Sequence, residues 1–351
     1  MFKNSNQKSS MECEIFEQPE ILSNILNTYV SGEDIKITLP ENINKVVLVA
    51  SGSSYNCARF AADLFGNVAQ IEARAIYSSE FLLKSAVPHA DDILYVFITQ
   101  SGETSDTNKA LNKAKQFGVQ TLCVTNKKDS TIWQASDFKI DCMAGEEKSI
   151  AATKSLIAQM LCLSLIILKY AKFKGIDITN HLTNLASLPE VLADTLEHKD
   201  CLLDMAAFLS KFQNIIVAAD GISYAIAREA CLKIKETSYI NVSSSILGEF
   251  MHGHVAVLNN KAALLYISVD DMSYTAIKNL NKIIEEYDTP ICVVGQSNSQ
   301  VDTKYFIGVN YESELVKSFA CVALIQLLAL EIAYKLKRNV DKPHGLNKVV
   351  Q

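Results

Sequence analysis

The residues best equipped for proton transfer lie together in the second half of the chain. Glu229, Lys233 and Glu236 follow one another at helical intervals, which places them along one face of a helix. A histidine near two glycines follows in Gly248-Glu-Phe-Met-His-Gly-His254. An imidazole that titrates near neutrality, a carboxylate and a lysine together suit proton transfer at a carbon beside a carbonyl or imine.

Two other interpretations of these residues stay open. A charged helix face is also typical of a solvated, salt-bridged surface, although Ala230 and Ile234 give this stripe apolar neighbours. His252 and His254 form an HxH pair that would suit a metal, but no third ligand stands nearby in the sequence. We therefore predict no metal site.

Hydroxyl-rich turns follow two apolar strands in the first half. The segment Ser51-Gly-Ser-Ser-Tyr-Asn56 follows the apolar run 45–50, and Thr99-Gln-Ser-Gly-Glu-Thr104 follows the run 93–98. Open parallel sheets bind ligands where strands end and where backbone N–H groups and helix N-termini are presented. Glycine permits close approach, and short hydroxyls donate to anionic oxygens. The turns predict a phosphate site, with helix capping as the alternative.

An internal duplication relates the two halves of the chain. A shift of 169 residues aligns Tyr55 with Tyr224, and Leu122-Cys-Val124 with Ile291-Cys-Val293. The turns of the second half that correspond to the hydroxyl-rich ones are Ala219-Asp-Gly-Ile-Ser223 and Ser268-Val-Asp-Asp-Met-Ser273. Because aspartates repel phosphate, we expect only the first copy to hold an anion.

The order of apolar runs predicts the fold class. In the first half, short continuous apolar strands alternate with helices over 44–50, 56–66, 93–98, 104–117, 120–125 and 152–172. Such strands are typical of a parallel sheet covered on both faces. We predict an α/β chain of two doubly wound parallel-sheet domains.

The pattern of apolar runs, together with the family resemblance given below, suggests limits for the parts of the chain. We expect a disordered tail over 1–10, an N-terminal helical leader over 11–43, a first, phosphate-binding domain over 44–173, a helical connector over 174–211, a second, catalytic domain over 212–338 and a C-terminal tail carrying Lys348 over 339–351.

Composition excludes several classes of protein. The net charge of -6 argues against sequence-independent binding of nucleic acid or anionic membranes. Nine scattered cysteines without a CxxC pair suggest buried thiols in a reducing compartment. The N-terminus has no apolar signal region, and the longest apolar run, 156–168, is shorter than the roughly 20 residues of a membrane span. We expect a cytoplasmic protein.

Several segments together resemble the tandem sugar isomerase (SIS) domain family. They are the two hydroxyl-rich turns, Ala151-Ala-Thr-Lys154, the run from Glu229 to Tyr239, Gly248-Glu-Phe-Met-His-Gly253, Val340-Asp-Lys-Pro-His-Gly-Leu-Asn-Lys348 and the leader Met11-Glu-Cys-Glu-Ile-Phe-Glu-Gln-Pro19. The family includes the isomerase half of glucosamine-6-phosphate synthase and the glucosamine-6-phosphate deaminases. The resemblance covers about residues 11–351 and implies two SIS domains with a flavodoxin-like, three-layer architecture.

The resemblance implies roles for individual residues. The sugar phosphate would be held by Ser53, Ser54, Thr99, Gln100, Ser101 and Thr104. Glu236 would move a proton between C1 and C2, His252 would open the sugar ring, and Lys348 would lie near the carbonyl end. The sugar would be lined by Gly52, Ile150, Ala151, Lys233 and Asn347. The family also implies a homodimer with shared sites, and we expect no cofactor.

The resemblance favours conversion of glucosamine 6-phosphate to fructose 6-phosphate and ammonia. The chain goes almost directly into its sugar domains, so we expect no glutaminase domain and hence the deaminating direction. Where the family commonly has Lys-His-Gly-Pro, this chain has Met251-His-Gly-His254, which alters the charge of that loop. The alternatives are another amino sugar phosphate, such as galactosamine 6-phosphate or a fructosamine phosphate, the isomerase part of a synthase, and a non-catalytic sugar-phosphate sensor.

Overall fold

The chain folds into two compact units, each built around one five-stranded sheet. The computed structural model describes residues 8–197, 199–296 and 300–348. The first-half unit comprises Gln18–Glu147, Ala152–Pro189 and residues 347–348, and the second-half unit comprises residues 8–17, Lys148–Ala151 and Glu190–Leu346. The domain limits inferred from the sequence stay predictions, and residues 1–7 of the expected N-terminal tail lie outside the described residues.

The strands are numbered in chain order. They are β1 (Val30–Ser31), β2 (Asp34–Ile35), β3 (Lys45–Ala50), β4 (Glu72–Tyr77), β5 (Ile93–Thr99), β6 (Gln120–Thr125), β7 (Phe138–Asp141), β8 (Asn214–Ala219), β9 (Asn241–Ile246), β10 (Ala262–Ser268), β11 (Ile291–Gly295) and β12 (Tyr305–Gly308).

The α-helices are numbered in the same way. They are α1 (Ser10–Phe16), α2 (Gln18–Tyr29), α3 (Gly52–Ala69), α4 (Ser78–Leu83), α5 (Ser105–Gln116), α6 (Thr131–Ala135), α7 (Lys154–Phe173), α8 (Thr179–Ala186), α9 (Leu188–Glu197), α10 (Leu203–Leu209), α11 (Ser223–Ser238), α12 (Leu247–Phe250), α13 (Tyr274–Tyr287) and α14 (Glu314–Lys335). Short 3₁₀ helices span Lys199–Leu202 and His254–Val257.

The first-half unit has a parallel sheet in the order β4-β3-β5-β6-β7. Its central strands β3, β5 and β6 are mostly apolar and almost entirely buried, as expected of a parallel sheet between two helical layers. On one face Val47, Tyr95 and Phe97 pack with Phe81 of α4 and Leu111 of α5. On the other, α7 packs against α3. A small antiparallel pair, β1 and β2, lies outside the sheet.

The second-half unit repeats this architecture. Its parallel sheet has the order β12-β11-β10-β8-β9, and α14 packs against α11. Strands β8, β9 and β10 begin 169 residues after β3, β4 and β5, which is the offset found in the sequence. The predicted fold class, two doubly wound parallel-sheet domains, is confirmed.

The structure differs from the predicted elements at the sheet edges and at one helix. The edge strands β4 and β7 were not predicted, because their mixed polar and apolar residues are only partly buried. Helix α3 begins at Gly52 rather than at residue 56. The segment expected to be a turn before the helix is therefore mostly its first turn, and Ser53 and Ser54 lie within that turn.

Two long apolar helices form the centres of the units. By length and composition α7 and α14 could each cross a membrane, yet 83% and 89% of their most apolar windows are buried inside the protein. Such burial is typical of the core helix of a globular unit. Most of the cysteines are buried as well, and all are free thiols. Cys13 and Cys201 are exposed, whereas the buried ones are Cys57, Cys123, Cys142, Cys162, Cys231, Cys292 and Cys321.

The end of β11 can accommodate only glycine. Gly295 pairs with Ser268 of β10 and has a φ of +134°, and a Cβ added there would lie 1.8 Å from the Ser268 carbonyl oxygen. Gly221 also has a positive φ, +54°, but a Cβ there would meet nothing within 4 Å. An alanine at Gly221 would therefore add backbone strain alone, whereas an alanine at Gly295 would also overlap the Ser268 carbonyl oxygen.

We predict that Gly295→Ala lowers the free energy of unfolding by about 2–5 kcal/mol, because the new methyl group displaces the end of β10. Gly221→Ala, the matched control, should cost about 1–2 kcal/mol through its left-handed backbone alone. Denaturant unfolding followed by circular dichroism measures both. Equal losses would contradict the steric argument.

Candidate active site

The two hydroxyl-rich segments of the first-half unit meet at one edge of its sheet. Strands β3 and β5 pair in parallel with Ala50 opposite Ile98, so that the segments following them start side by side. Parallel sheets bind ligands at this carboxyl edge. The pairing brings Ser53 and Ser54 of α3 and the turn 99–104 to the same edge, as the sequence predicted.

Neighbouring groups take up the carbonyl oxygens of the turn 99–104. The Gln100 carbonyl accepts from the Asn126 backbone N–H at 3.2 Å and from the Thr125 hydroxyl at 3.3 Å. The Gly102 carbonyl accepts from Asn108 Nδ2 at 3.1 Å and the Ile132 N–H at 3.3 Å. With these carbonyls engaged, the turn can offer N–H and hydroxyl donors to an anion.

The hydroxyl groups of the turn hydrogen-bond within the turn. Thr99 and Thr104 hydrogen-bond through their hydroxyls at 2.8 Å. The Ser101 hydroxyl accepts from the Glu103 N–H at 3.1 Å, which leaves its own O–H proton to donate. Glu103 in turn anchors the turn, because its carboxylate accepts from the N–H and hydroxyl of Thr131 at 2.6 and 2.8 Å.

Close packing beneath the turn requires Gly102. Its φ is +67°, and a Cβ there would lie 2.1 Å from Ser130 Oγ and 3.1 Å from Thr125 Oγ1. A side chain at this position would push the turn away from the helix behind it. The sequence indicated glycine for ligand approach, and the structure adds a second reason.

Helix capping differs between the two copies. Thr104 stands at the N-cap of α5 and makes no side-chain capping bond, and neither does Ser51 at the N-cap of α3. In the second copy the equivalent residue Ser273 accepts from the Ala276 N–H at 3.1 Å and caps α13. Capping therefore explains the hydroxyl of the second copy but not those at the start of α3 and α5.

Carboxylates occupy the corresponding edge of the second sheet. Asp220 accepts a hydrogen bond from the Tyr266 hydroxyl at 3.2 Å. Burial raises the pKa of Asp270 above its usual value, as does the Asp271 charge, although Lys317 opposes both. Burial and the neighbouring Asp270 likewise raise the pKa of Glu314. Carboxylates at this edge disfavour a phosphate, and the expectation that only the first copy holds an anion stays a prediction.

The predicted catalytic helix α11 buries a lysine between two carboxylates. Lys233 is fully buried, and its Nζ lies 3.4 Å from Glu229 Oε1 and 2.5 Å from Glu236 Oε2. Glu229 is also buried, whereas one fifth of the Glu236 side chain remains exposed. The stripe is therefore not a solvated surface. A carboxylate held by a buried ammonium and open to solvent on one side can act as a base.

His252 lies apart from this helix in the second-half unit. It is exposed in the turn after α12, and its backbone N–H donates to the Glu249 carbonyl at 3.0 Å. Among the described residues no hydrogen bond or ion pair joins His252 to Glu236.

A cleft of about 580 Å³ lies beside this turn. It is lined by Tyr224, Ser243, Ser244, Ser245, Ile246, Glu249, Phe250, His254 and Val257. In the first copy the residues equivalent to Tyr224 and Ile246 are Tyr55 and Tyr77, whose rings stack with centroids 3.6 Å apart. In the first copy two stacked tyrosine rings therefore occupy the position that forms part of an open cleft in the second copy.

The remaining predicted sugar-lining residues occupy different surroundings. Ala151 is fully buried and its carbonyl accepts from the Ser149 hydroxyl at 2.6 Å, while Ile150 is half-buried. Gly52 and Asn347 are exposed. Among the described residues no group of three or more His, Cys, Asp or Glu side chains is placed to hold a metal ion. The assignments of individual site residues stay predictions.

The sequence did not single out Glu147, which binds Lys348. The Lys348 Nζ lies 2.6 Å from Glu147 Oε2, and the Glu147 side chain has no exposed surface. Its position just before Ala151-Ala-Thr-Lys154 and two residues after a glycine could have marked Glu147 as a candidate site residue. Nothing in the sequence pairs it with a lysine near the C-terminus.

Comparisons with known proteins identify the family of the chain. The family model for the SIS domain matches residues 41–169 and 208–336. The chain is 30% identical over 346 residues to glutamine–fructose-6-phosphate aminotransferase [isomerizing] from Aquifex aeolicus and 28% identical over 352 residues to that from Chlorobaculum tepidum. These alignments cover 98% and 96% of this chain but only 58% and 57% of the relatives.

Solved structures show the same architecture. The C-terminal domain of glucosamine-fructose-6-phosphate aminotransferase from Francisella tularensis matches with a TM-score of 0.90 and 25% identity, covering 96% of this chain and 99% of that one. Glucosamine-6-phosphate deaminase from Thermotoga maritima matches with a TM-score of 0.77 and 21% identity, over 97% and 99% of the two chains, which shows a shared fold. With two SIS matches that together span most of its length, the chain is a member of the tandem SIS domain family.

Proposed function

We propose that this protein converts glucosamine 6-phosphate and water to fructose 6-phosphate and ammonia. The observation that carries the proposal is Glu236, a partly exposed carboxylate held by the buried Lys233 ammonium. An isomerisation between C1 and C2 needs one base that removes a proton and returns it to the neighbouring carbon. The hydroxyl-rich edge of the first-half unit, where the Glu103 carboxylate is engaged by Thr131, supports binding of the sugar phosphate.

The proposed reaction follows from these groups. His252 assists opening of the sugar ring to the aldehyde. Glu236 takes the proton from C2, the C2–H electron pair forms the C1–C2 double bond, and the aldehyde oxygen is protonated. Return of the proton to C1 moves the double bond to C2 and nitrogen. Water adds to this imine at C2, and ammonia leaves as the ketone of fructose 6-phosphate forms. Lys348 contributes positive charge near the carbonyl end.

A second candidate is the isomerase part of a glutamine-dependent aminotransferase. The curated relatives carry that name, and the chain spans little more than half of their length. The sugar chemistry is the same in both candidates, but the nitrogen source and net direction differ. Assays with fructose 6-phosphate plus either ammonia or glutamine, beside the assay of ammonia release, distinguish them. The homodimer with shared sites and the cytoplasmic location remain predictions.

Ammonia release from a panel of amino sugar 6-phosphates tests the activity and the base together. We predict turnover of glucosamine 6-phosphate by the native protein and a loss in kcat of about 100-fold or more in Glu236→Gln, which still binds the sugar. Glu285→Gln changes an exposed carboxylate of the same unit and should retain full activity. Unchanged turnover in Glu236→Gln would remove Glu236 from the mechanism, and binding without turnover of any sugar would favour the sensor.

Ser101→Ala tests the phosphate site. Loss of one hydroxyl that donates to a charged oxygen should raise KM for glucosamine 6-phosphate about 10-fold or more, with a smaller change in kcat. Ser85→Ala, an exposed serine of the same unit, serves as the control. An unchanged KM, measured by steady-state kinetics, would place the phosphate elsewhere.

Lys233→Met tests the ion pair behind the proposed base. Removing the ammonium leaves the buried Glu229 carboxylate without this counter-charge, so we predict a loss in unfolding free energy of about 3–5 kcal/mol together with loss of activity. Lys235→Met changes an exposed lysine on the same helix and should alter stability by less than about 0.5 kcal/mol. Thermal and denaturant unfolding give the comparison, and equal effects of the two substitutions would refute it.

A further inference from the structure

Glu147 is a buried carboxylate for which the proposed reaction has no use. Backbone and side-chain donors reach both of its oxygens. Oε1 accepts from the Thr153 N–H at 2.9 Å and the Ser155 N–H at 3.1 Å, and Oε2 accepts from the Ser155 hydroxyl at 2.8 Å and from Lys348 Nζ at 2.6 Å. A carboxylate with no exposed surface is costly unless it is paired, and here its charged partner is Lys348.

The two oxygens do different things. Oε1 binds backbone N–H groups at the start of α7, where Thr153 as N-cap makes no side-chain capping bond, so Glu147 caps this helix and meets the positive end of its dipole. Oε2 holds the lysine. Burial works to raise the pKa of Glu147, but the Lys348 charge and the N–H donors outweigh it and keep that pKa below its usual value.

The ion pair with Glu147 restricts the Lys348 side chain to one arrangement. It lies on a segment without helix or strand that follows α14, and about three quarters of its side chain is buried. A lysine side chain loses conformational entropy when it is held in one arrangement. A short ion pair to a rigid, helix-capping carboxylate offsets that loss.

We propose that Glu147 is the positioning residue of Lys348, fixing its ammonium through this ion pair in the place where the proposed reaction uses it. The inference rests on the proposed function, because only the proposed reaction gives Lys348 a role. Glu147 itself touches no reacting atom in this scheme. It acts through the lysine and leaves the phosphate-binding turn unchanged.

Glu147→Gln separates positioning from helix capping. Glutamine retains a carbonyl oxygen that can accept from the Thr153 and Ser155 N–H groups, while its amide nitrogen replaces the oxygen that binds Lys348. The cap is thereby preserved and the ion pair is lost. Glu146→Gln is the matched control, since Glu146 is the adjacent residue and is exposed.

Kinetics of four proteins test the coupling: native, Glu147→Gln, Lys348→Met and the double variant. We expect each single substitution to lower kcat about 10- to 100-fold with KM for glucosamine 6-phosphate changed less than about 3-fold. The double variant should be no slower than Lys348→Met, because two residues that act as one unit are not additive. Multiplied losses in the double variant would overturn the proposal.

Acylation of lysines followed by peptide mass mapping tests the positioning without an activity assay. In the native protein Lys348 should react more slowly than Lys342, which is exposed on the same segment. In Glu147→Gln its rate should rise toward that of Lys342, and in Glu146→Gln it should not change. Equal rates in the native protein and in Glu147→Gln would overturn the proposal. If Glu147→Gln folds poorly, the native protein alone still gives a test, because rapid acylation of its Lys348 would also overturn the proposal.

The two readouts separate failure of this inference from failure of the proposed function. A protein that turns over no sugar, yet shows Lys348 protected by Glu147, supports the positioning contact and contradicts the reaction. A protein that turns over sugar with Lys348 freely acylated supports the reaction and contradicts the positioning role.

Discussion

The parallel pairing of β3 with β5 is the constraint on which the candidate phosphate site depends. Because Ala50 stands opposite Ile98, two segments that are far apart in sequence end at the same edge of one sheet. A shift of the register would move one segment along the sheet and separate its hydroxyls from those of the other. The buried, apolar strands fix that register, so the hydrophobic core determines the spacing of the polar groups.

The two copies of the fold use the same positions differently. Thr104 hydrogen-bonds to Thr99 and leaves the N-terminus of α5 without a side-chain cap, whereas its counterpart Ser273 caps α13. Aspartates follow β8 and β10 in the second copy, and α11 instead carries the buried Lys233 between two carboxylates. Strands β3, β4 and β5 match β8, β9 and β10 in length and in their offset of 169 residues, so this divergence in chemistry required no change in these three strands.

Much of this could be predicted from the sequence, for identifiable physical reasons. Continuous apolar runs marked β3, β5 and β6, since strands buried on both faces have no polar side. The edge strands β4 and β7 carry charged and polar residues and were missed. The helical spacing of Glu229, Lys233 and Glu236 indicated one face, but only burial showed that the lysine binds both carboxylates. The Glu147–Lys348 pair spans most of the chain, and no local pattern encodes such a contact.

The buried cysteines can report local unfolding of the native protein. Burial raises the pKa of Cys123 to about 11 and that of Cys321 to about 12, so near neutral pH both sulfurs keep their protons and lack the thiolate that alkylating reagents attack. Cys123 lies in the first-half unit and Cys321 in the second. When the region around either cysteine unfolds, its thiol meets water and its pKa returns toward the ordinary value, so the modified peptide identifies which unit opened first.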